Sequence, residues 1–335
     1  MESTIFDIAI IIPTLNEEIY IESCIDSIRS QSYPFERMDI MVIDGGSNDK
    51  TCQIVKKKAL EYTNIRLIPN PKRLQSIAFN IGVANSAAPY IIRLDAHVKY
   101  DNRYIELCLK HLESEPQLGD VGGICITDVM GDGILPKANA ILCQSRFGIG
   151  GAAFRVGATS GFVDTVPFGA FPRKIIDQIG GMREDLPRAE DNEYTSRIRK
   201  AGYKILLDPD IVSTYYVRGT FGGLIKQMYT NGISIGHLFY IDKAAIGIRH
   251  FVPFVFVMSL IVFFISGIFW RPARFIILSI LVTYLACSVF ASIIQCNKHG
   301  WECLFILPLL FFCVHVSYGG GTLIGLIKHS GTGKK

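Results

Sequence analysis

Three long apolar stretches near the C-terminus most restrict how this chain of 335 residues can fold. They cover residues 251–270, 275–294 and 304–327, and each is close to the roughly 20 residues that a helix needs to cross a bilayer. Only residues 271–274 separate the first two stretches, which predicts a tight helical hairpin. Buried helices of a soluble core are the alternative, but long stretches with so few charges favour a membrane anchor of two or three hydrophobic helices.

The charged residues separate a polar N-terminal part from this apolar C-terminal part. Of 30 acidic residues, only Asp242 and Glu302 lie after residue 241, and the formal net charge of +4 gives no indication of a nucleic-acid partner. The nine cysteines contain no Cys-x-x-Cys pair, which argues against a disulfide framework or a zinc site and is typical of a reducing compartment. No charged segment followed by an apolar run opens the sequence, so we expect no cleaved signal peptide and a first domain in the cytosol.

The N-terminal part alternates between short apolar runs and amphipathic segments. The pattern predicts helices near 16–30, after residue 50 and at 74–86. Such alternation predicts an α/β fold with a mixed, mostly parallel sheet and right-handed crossovers. The strands predicted in this part are 7–14, 39–44, 65–68 and 89–94.

Four polar motifs accompany these elements. Pro13–Glu18 follows the first strand, Asp44–Thr51 the second and Asp95–His97 the fourth, and Arg188–Glu193 lies far downstream. Ligands of such sheets bind beyond the carboxyl ends of the strands, so we expect the first three motifs to meet there. Each motif alone is weak, but their order and spacing are specific.

With these motifs in this order, the chain resembles family-2 glycosyltransferases of the nucleotide-diphosphosugar-transferase (GT-A) fold. More narrowly, it is similar to the membrane-associated glucosyltransferases of succinoglycan-type exopolysaccharide synthesis. The resemblance covers residues 7 to about 240, and the apolar tail also fits that subgroup. It implies an inverting, metal-dependent transferase. The residues it assigns are Pro13, Thr14, Asn16, Glu17, Asp44 and Asp95 for the nucleotide sugar, Asp95 and His97 for the metal, and Glu190 and Asp191 for the acceptor.

The metal motif departs from the commonest family pattern, because His97 stands where a second aspartate is usual. A hard divalent cation between a carboxylate and the diphosphate would neutralise the charge of the leaving group. Imidazole suits Mn²⁺ better than Mg²⁺, so Mn²⁺ is the preferred ion of the two. His97 could instead hydrogen-bond a phosphate, and Asp101 could supply the second carboxylate or cap the following helix. Arg73, after the third strand, could reach the diphosphate or lie in an exposed loop.

The acceptor hydroxyl needs a general base opposite the departing diphosphate. Asp191 is the candidate base, with Glu190 orienting the acceptor sugar. One base and no nucleophile gives a single displacement with inversion. The alternative is that either carboxylate forms a surface ion pair with Arg188 or Arg197.

We therefore expect a cytosolic GT-A catalytic domain at 1–220, an amphipathic interfacial connector at 221–250 and a membrane anchor at 251–330. The expected reaction transfers one sugar at the cytosolic membrane face. The resemblance implies UDP-glucose as the donor and a polyprenyl-linked glycan as the acceptor. A transferase acting on a bare polyprenyl monophosphate and a non-catalytic nucleotide-binding membrane protein are the alternatives. The few basic residues at 240–250 disfavour the first, and the retained carboxylates disfavour the second.

Positive charges bear on the topology of the anchor. Three full crossings would leave most basic residues of the anchor outside, against the positive-inside tendency. If 251–270 lies in the interface, most of them are inside, which favours a cytosolic C-terminus. We also expect Gly321 and Gly325 to pack closely against the helical hairpin. The residues that are cytosolic in the second arrangement are Lys243, Arg249, Arg271, Arg274, Lys328, Lys334 and Lys335, against Lys298 outside.

Overall fold

The computed structural model describes residues 6–129, 133–149, 151–157, 159–217 and 220–331. Lys334 and Lys335, which enter the topology prediction, lie outside the described residues. The chain divides into two compact units. The first comprises Met1–Ile126 and Gly157–Tyr215, and the second comprises Thr127–Val156 and Tyr216–Lys335. The domain limits 1–220, 221–250 and 251–330 stay a prediction.

The strands are β1 (Ile8–Thr14), β2 (Met38–Asp44), β3 (Ile65–Pro69), β4 (Tyr90–Arg93), β5 (Val98–Tyr100), β6 (Leu118–Asp128), β7 (Gly161–Phe162), β8 (Ala170–Pro172) and β9 (Lys204–Tyr216). The α-helices are α1 (Ile21–Arg29), α2 (Thr51–Glu61), α3 (Gln75–Ala84), α4 (Tyr104–Ser114), α5 (Ile134–Gln144), α6 (Ala153–Val156), α7 (Arg173–Ile179), α8 (Glu190–Lys200), α9 (Phe221–Ile241), α10 (Val252–Phe269), α11 (Arg271–His299) and α12 (Ile306–His329). Short 3₁₀ helices cover Phe35–Arg37, Lys243–Ala245, Ile248–His250 and Trp301–Cys303.

The first half of the sheet is parallel, as the alternation of strands and helices predicts. β1 pairs in parallel with β2 and with β4, and β3 pairs with β2. Residues 8–12 are completely buried. Ile10 packs in one core cluster with α1, while the next residue, Ile11, lies against Gly82 of α3. Successive side chains of a strand point to opposite faces, so helices on both faces explain why β1 is a continuous apolar run.

The second half of the sheet is antiparallel. β8 pairs with β4 and β6 pairs with β8, while β5 and β7 both pair with β9. The strand order over the described residues is β3-β2-β1-β4-β8-β6-β9-β5, with β7 beside β9. The sheet is therefore mixed, as predicted.

The second unit contains the predicted apolar helices. α10, α11 and α12 are each long and apolar enough to cross a membrane. Trp270 is the single residue between α10 and α11, and Arg274 Nε donates a hydrogen bond of 2.6 Å to the carbonyl of Gly267. The predicted hairpin is confirmed, but its turn lies at Trp270, and residues 271–274, expected between the helices, belong to α11.

Helix α9 packs along α12 through glycines on both helices. A Cβ atom at Gly232 would lie 2.1 Å from the carbonyl oxygen of Tyr318, and one at Gly325 would lie 2.3 Å from that of Ile233. Gly321 has an equally close approach to the α9 backbone. Close packing of Gly321 and Gly325 is confirmed, but the partner expected from the sequence is wrong. They face α9 rather than the hairpin, because Gly232 and Gly236 on α9 also lack side chains and allow the two backbones to touch.

Helix α5 folds with the C-terminal helices, although β7, β8 and β9 of the first unit follow it in sequence. Its residues Ile141 and Leu142 are buried, and the helix packs against α12. Lys137 Nζ lies 2.9 Å from a carboxylate oxygen of Glu302. His315 Nε2 is 3.0 Å from the carbonyl of Gly148, so the turn after α5 is also held by α12.

Candidate active site

The carboxyl edge of the parallel strands gathers three of the predicted motifs. Thr14 and Asp44 are paired in register at the ends of β1 and β2. β4 ends beside them at Arg93, so Asp95 follows at the same edge. This is the edge at which α/β sheets bind their ligands.

The loops after β1 and β2 are bound to each other. The backbone N–H of Asn16 donates to Ser47 Oγ at 2.8 Å, and the side-chain oxygen of Asn16 accepts from the N–H of Asn48 at 2.8 Å. The N–H of Glu17 donates to Thr51 Oγ1 at 2.8 Å. Asn16 has a positive φ of 56°, a conformation that asparagine tolerates better than most residues. The two loops, at residues 15–18 and 45–50, therefore form one fixed wall of the site, the double loop.

Asp44 is held by donors of its own loop. Its Oδ2 accepts from the N–H groups of Gly46 at 2.8 Å and Ser47 at 3.0 Å, and its Oδ1 accepts from Ser47 Oγ at 2.5 Å. Burial opposes ionisation of this carboxyl, but the hydrogen bonds from Ser47 and Gly46 outweigh it and lower the pKa of Asp44. Asp44 is therefore a fixed, ionised acceptor group.

The other residues predicted to bind the nucleotide sugar line the same edge. Pro13 and Thr14 end β1, and the Thr14 hydroxyl donates to the carbonyl of Ile12 at 3.0 Å. Arg73 has a φ of 61°, and its Nη2 would lie 3.3 Å from a Cβ atom at Gly46. Arg73 thus lies against the β2 loop.

Arg93 links the carboxylates of two predicted motifs. Its Nη2 donates to Asp95 Oδ1 at 3.0 Å, and its Nη1 donates to Asp191 Oδ1 at 2.5 Å. Glu190 Oε1 lies 3.9 Å from Nη1, and Gln75 Oε1 accepts from Nη2 at 3.3 Å. Burial disfavours the charge of Arg93, but Asp191, Asp95 and Glu190 outweigh it and raise its pKa well above the usual value. The guanidinium is therefore a permanent cation between the carboxylate of Asp95 and those of Glu190 and Asp191.

Glu190 and Asp191 open helix α8 and differ in environment. The side chain of Asp191 is 49% exposed, whereas that of Glu190 is 5% exposed. Burial, together with the charge of Asp191, raises the pKa of Glu190 to about 7. The expected alternative pairing is not observed for Arg197, which bonds Glu193 at 2.8 Å. Asp191 instead pairs with Arg93 and keeps one side open to solvent.

The pKa of Glu190 predicts a pH-dependent cost in stability. Because its folded-state value of about 7 lies above the usual 4.5, folding favours the protonated form. The cost is absent below pH 4.5, grows between pH 4.5 and 7 and is complete above pH 7. We expect Glu190→Gln to raise the melting temperature at pH 8 and to leave it unchanged near pH 4.5, as measured by scanning calorimetry.

Glu184 provides a control of opposite sign. Hydrogen bonds from Asn80 and Lys72 lower its pKa, so its ionised form stabilises the fold and that stability is lost as the pH falls. Glu184→Gln should therefore lower the melting temperature at pH 8 and have less effect in acid. An equal effect of Glu190→Gln at both pH values would contradict the raised pKa.

His97 and Glu17 face each other beside Asp95. His97 Nδ1 lies 3.2 Å from Glu17 Oε1, and both side chains are largely buried. Among the described residues, no three His, Cys, Asp or Glu side chains form a group that could hold a metal. Asp101 Oδ1 accepts from the N–H of Arg103 at 3.2 Å, which places Asp101 in the turn before α4. The protein thus offers Asp95 and His97 as at most a partial set of metal ligands.

A small polar cavity lies behind Asp191. Asp120, on β6, is 1% exposed, and neither of its carboxyl oxygens has a hydrogen-bond partner among the described residues. Burial and the charge of Asp191 raise the pKa of Asp120 well above its usual range, which favours the protonated form of this side chain. The cavity has a volume of about 20 Å³ and is lined by Arg93, Asp120, Val166, Phe168, Gly169, Phe171, Met182, Asp191, Tyr194 and Thr195.

Arg93 and Asp120 lie at the centre of the site and are not among the residues that the sequence predicted. A signal was available, because each is a charged residue inside an otherwise apolar strand run, Ile91–Leu94 or Leu118–Val121. Charged residues in such positions are rarely buried without a specific partner.

The fold and this edge define the class of protein. The sheet has a parallel half, built of strands and helices, that antiparallel strands extend. Its carboxyl edge carries the double loop and a cluster of carboxylates. This is the nucleotide-diphosphosugar-transferase (GT-A) architecture. A solved mannosyltransferase from Pyrobaculum calidifontis, in complex with GDP-Man and Mn²⁺, superimposes with a TM-score of 0.64, covering 95% of this chain and 87% of that chain at 17% identity. This likeness confirms the predicted fold.

Residues 9–180 match the model of glycosyl transferase family 2, and the chain belongs to this family. It is 30% identical to a Methanococcus voltae protein, dolichyl N-acetyl-alpha-D-glucosaminyl phosphate 3-beta-D-2,3-diacetamido-2,3-dideoxy-beta-D-glucuronosyltransferase, over 98% of this chain and 99% of that protein. It is 31% identical to the succinoglycan biosynthesis protein ExoA of Rhizobium meliloti over 73% of each. The family predicted from the four motifs is confirmed.

Proposed function

We propose that this glycosyltransferase moves one sugar, with inversion, from a nucleoside-diphosphate donor to a lipid-linked glycan in polysaccharide biosynthesis. The observation that carries the proposal is the Arg93 bridge, which holds Asp95 of the donor motif and Asp191 of the acceptor motif in one cluster. Because one guanidinium contacts both carboxylates, the proposed donor and acceptor sites lie within a few ångströms of each other. The half-exposed Asp191 can meet an acceptor that arrives from solvent.

The chemical step uses Asp191 as the general base. The acceptor hydroxyl oxygen forms a bond to the anomeric carbon, and its proton passes to Asp191. The bond from the anomeric carbon to the diphosphate breaks, and the nucleoside diphosphate leaves with the electron pair. Glu190, buried beside Asp191, orients the acceptor sugar. A positioned base typically contributes about 10²- to 10⁴-fold in rate.

The nucleotide sugar is proposed to lie on the double loop. Asn16 and Glu17 of the first loop and Asp44 of the second form a wall whose hydrogen bonds are already made, so little order is lost when a ligand binds. Pro13 and Thr14 extend this wall. Arg73, beside the second loop, is proposed to pair with the diphosphate.

A divalent cation, Mn²⁺ or Mg²⁺, fits the donor set at Asp95 and His97. Such ions are commonly held by one or two protein groups and completed by substrate phosphates. The carboxylate of Glu17 beside His97 Nδ1 is the kind of partner that orients a metal-binding imidazole. When bound, the cation would supply Lewis-acid stabilisation of the leaving diphosphate. Mn²⁺ is the proposed preference because of the imidazole.

The relatives indicate the substrate class. The name of the Methanococcus voltae relative describes a sugar-bearing dolichyl phosphate acceptor and a β-D product. A β product requires inversion when the donor is α-linked. UDP-glucose, the donor that the family resemblance implies, is the first donor to test. A 2,3-diacetamido-glucuronosyl donor belongs in the same panel.

The enzyme is proposed to work at the cytosolic face of the cell membrane, anchored by the helices of the second unit. Anchoring raises the effective concentration of a membrane-bound acceptor. The charge count favours a cytosolic C-terminus. A reporter fused after Lys335 that is active only outside the cytosol should stay silent, and its activity would require three full crossings.

A donor screen tests the function. The purified full chain should release nucleoside diphosphate from one UDP-sugar of a panel, and release should stop with a chelator.

Asp95→Ala should lose metal-dependent UDP binding in titration calorimetry. Asp185→Asn, which changes an exposed carboxylate paired with Arg183, should bind UDP normally. His97→Asp should shift the preference from Mn²⁺ toward Mg²⁺.

Two results would count against this assignment. If no nucleotide sugar is bound or hydrolysed, the protein is not the proposed transferase. If His97→Asp leaves the ion preference unchanged, His97 is not a metal ligand.

A further inference from the structure

Three residues that line the small cavity behind Asp191 carry buried polar groups without hydrogen-bond partners among the described residues. These groups are the carboxyl group of Asp120, the Nε–H of Arg93 and the hydroxyl of Tyr194. Asp120 is 1% exposed and Tyr194 is completely buried. All three residues line the same cavity.

Leaving such groups without partners is costly. A buried donor or acceptor that makes no hydrogen bond costs about 1–3 kcal/mol. A volume of about 20 Å³ exceeds the roughly 10–15 Å³ that a water molecule needs, and buried waters typically make about three hydrogen bonds. The cavity therefore has both the size and the partners for one water molecule.

We propose that this cavity binds one structural water, and that Asp120, through this water and Arg93, is a positioning residue for the carboxylate of Asp191. The proposal rests on the proposed function, because it takes Asp191 as the catalytic base. It adds a binding site for water and a role for Asp120.

The geometry of the guanidinium explains how the support works. Two nitrogens of Arg93 are already directed at Asp95 and Asp191. A guanidinium is planar and its N–H groups form a rigid fork, so a hydrogen bond from the remaining Nε–H fixes the orientation of the whole group. The water supplies that bond, and Asp120 holds the water.

Asp120 suits this role as a neutral acid. Burial and Asp191 raise its pKa, and a protonated carboxyl offers both a donor and an acceptor to the water. An ionised Asp120 would compete with Asp191 for Arg93. The backbone at Gly169 lies directly against this carboxyl, because a Cβ atom at position 169 would lie 2.1 Å from Asp120 Oδ1. Only glycine fits there.

Two variants separate positioning from simple packing. Asp120→Asn keeps the shape and the hydrogen-bonding groups, and its kcat should stay within about 3-fold of wild type. Asp120→Ala removes them, and kcat should fall about 10- to 100-fold, as for other groups that orient a reacting side chain. The donor KM should change less than about 3-fold, since the donor wall lies elsewhere. Ser213→Ala, which removes a buried hydroxyl bonded to the carbonyl of Ile124, is the control and should keep its kcat.

An infrared difference spectrum gives a readout independent of activity. Wild type minus Asp120→Asn at pH 7 should show the carbonyl stretch of one protonated carboxylic acid. An absent band, an Asp120→Asn enzyme as slow as Asp120→Ala, or an Asp120→Ala enzyme with wild-type kcat would each overturn the proposal. If wild type transfers no sugar at all, the proposed function fails, and the infrared band still decides whether Asp120 is neutral.

Discussion

Sugar transfer is expected to fall by about 10²- to 10⁴-fold when Asp191 is replaced by asparagine. The amide keeps the size of the side chain and can still accept a hydrogen bond from Arg93, but it cannot take the proton of the acceptor hydroxyl. Donor binding should stay within a few-fold, because the double loop is built from other residues. Steady-state transfer rates and titration calorimetry with the nucleotide sugar measure the two effects separately.

The matched control for this change is Asp185→Asn. Asp185 is a similarly exposed carboxylate that pairs with an arginine, Arg183, and it lies outside the Arg93 cluster. It should transfer sugar at the wild-type rate. Near wild-type transfer by Asp191→Asn would place the base elsewhere.

The second large effect is expected for Arg93→Met. The change leaves the carboxylates of Asp95 and Glu190 buried without their cation, and removing one partner of a buried ion pair typically costs about 3–5 kcal/mol. The half exposure of Asp191 puts the expected loss at the lower end of that range. Because Asp191 also loses its anchor, transfer should fall at least about 10²-fold. Arg93→Lys should recover part of the stability but little activity, since an ammonium cannot bridge two carboxylates as a planar fork does.

Arg66→Met is the control for the loss of a partly buried ion pair away from the site. Arg66 pairs with Asp39 at 2.7 Å, and the side chain of Asp39 is 3% exposed. The pair joins β2 and β3 away from the carboxyl edge. Arg66→Met should lower the melting temperature, yet the folded protein should keep its kcat. If Arg93→Met were as active as Arg66→Met, the bridge would have only a structural role.

Much of the first unit could be predicted because its signals are local. The run Ile8–Ile12 is apolar along its whole length because helices cover both faces of its strand. The sequence alone therefore indicates that the strand is buried. The positions of Thr14, Asp44 and Asp95 follow from the same strands, since parallel strands present their carboxyl ends at one edge.

The Arg93 cluster could not be predicted in this way. It depends on the antiparallel pairing that brings β8 and β6 beside β4, and on the placement of α8 over the end of β4. Arg93, Asp120 and Asp191 are far apart in sequence. The local periodicity of a sequence does not indicate that β4, β6, β8 and α8 come together. The partner of Gly321 was missed for the same reason, because glycine spacing indicates close packing but not the helix that supplies it.

The placement of α5 also has a consequence for how the protein is made. This helix leaves the ribosome well before α12, one of the helices that it packs against, and three strands of the first unit are synthesised in between. Its buried residues include Ile141 and Leu142, and the packing around the helix is complete only after α9 and α12 have been made. Until α9 and α12 are made, a nascent chain of this protein therefore carries an apolar helix without these packing partners, and exposed apolar surface of this kind promotes aggregation.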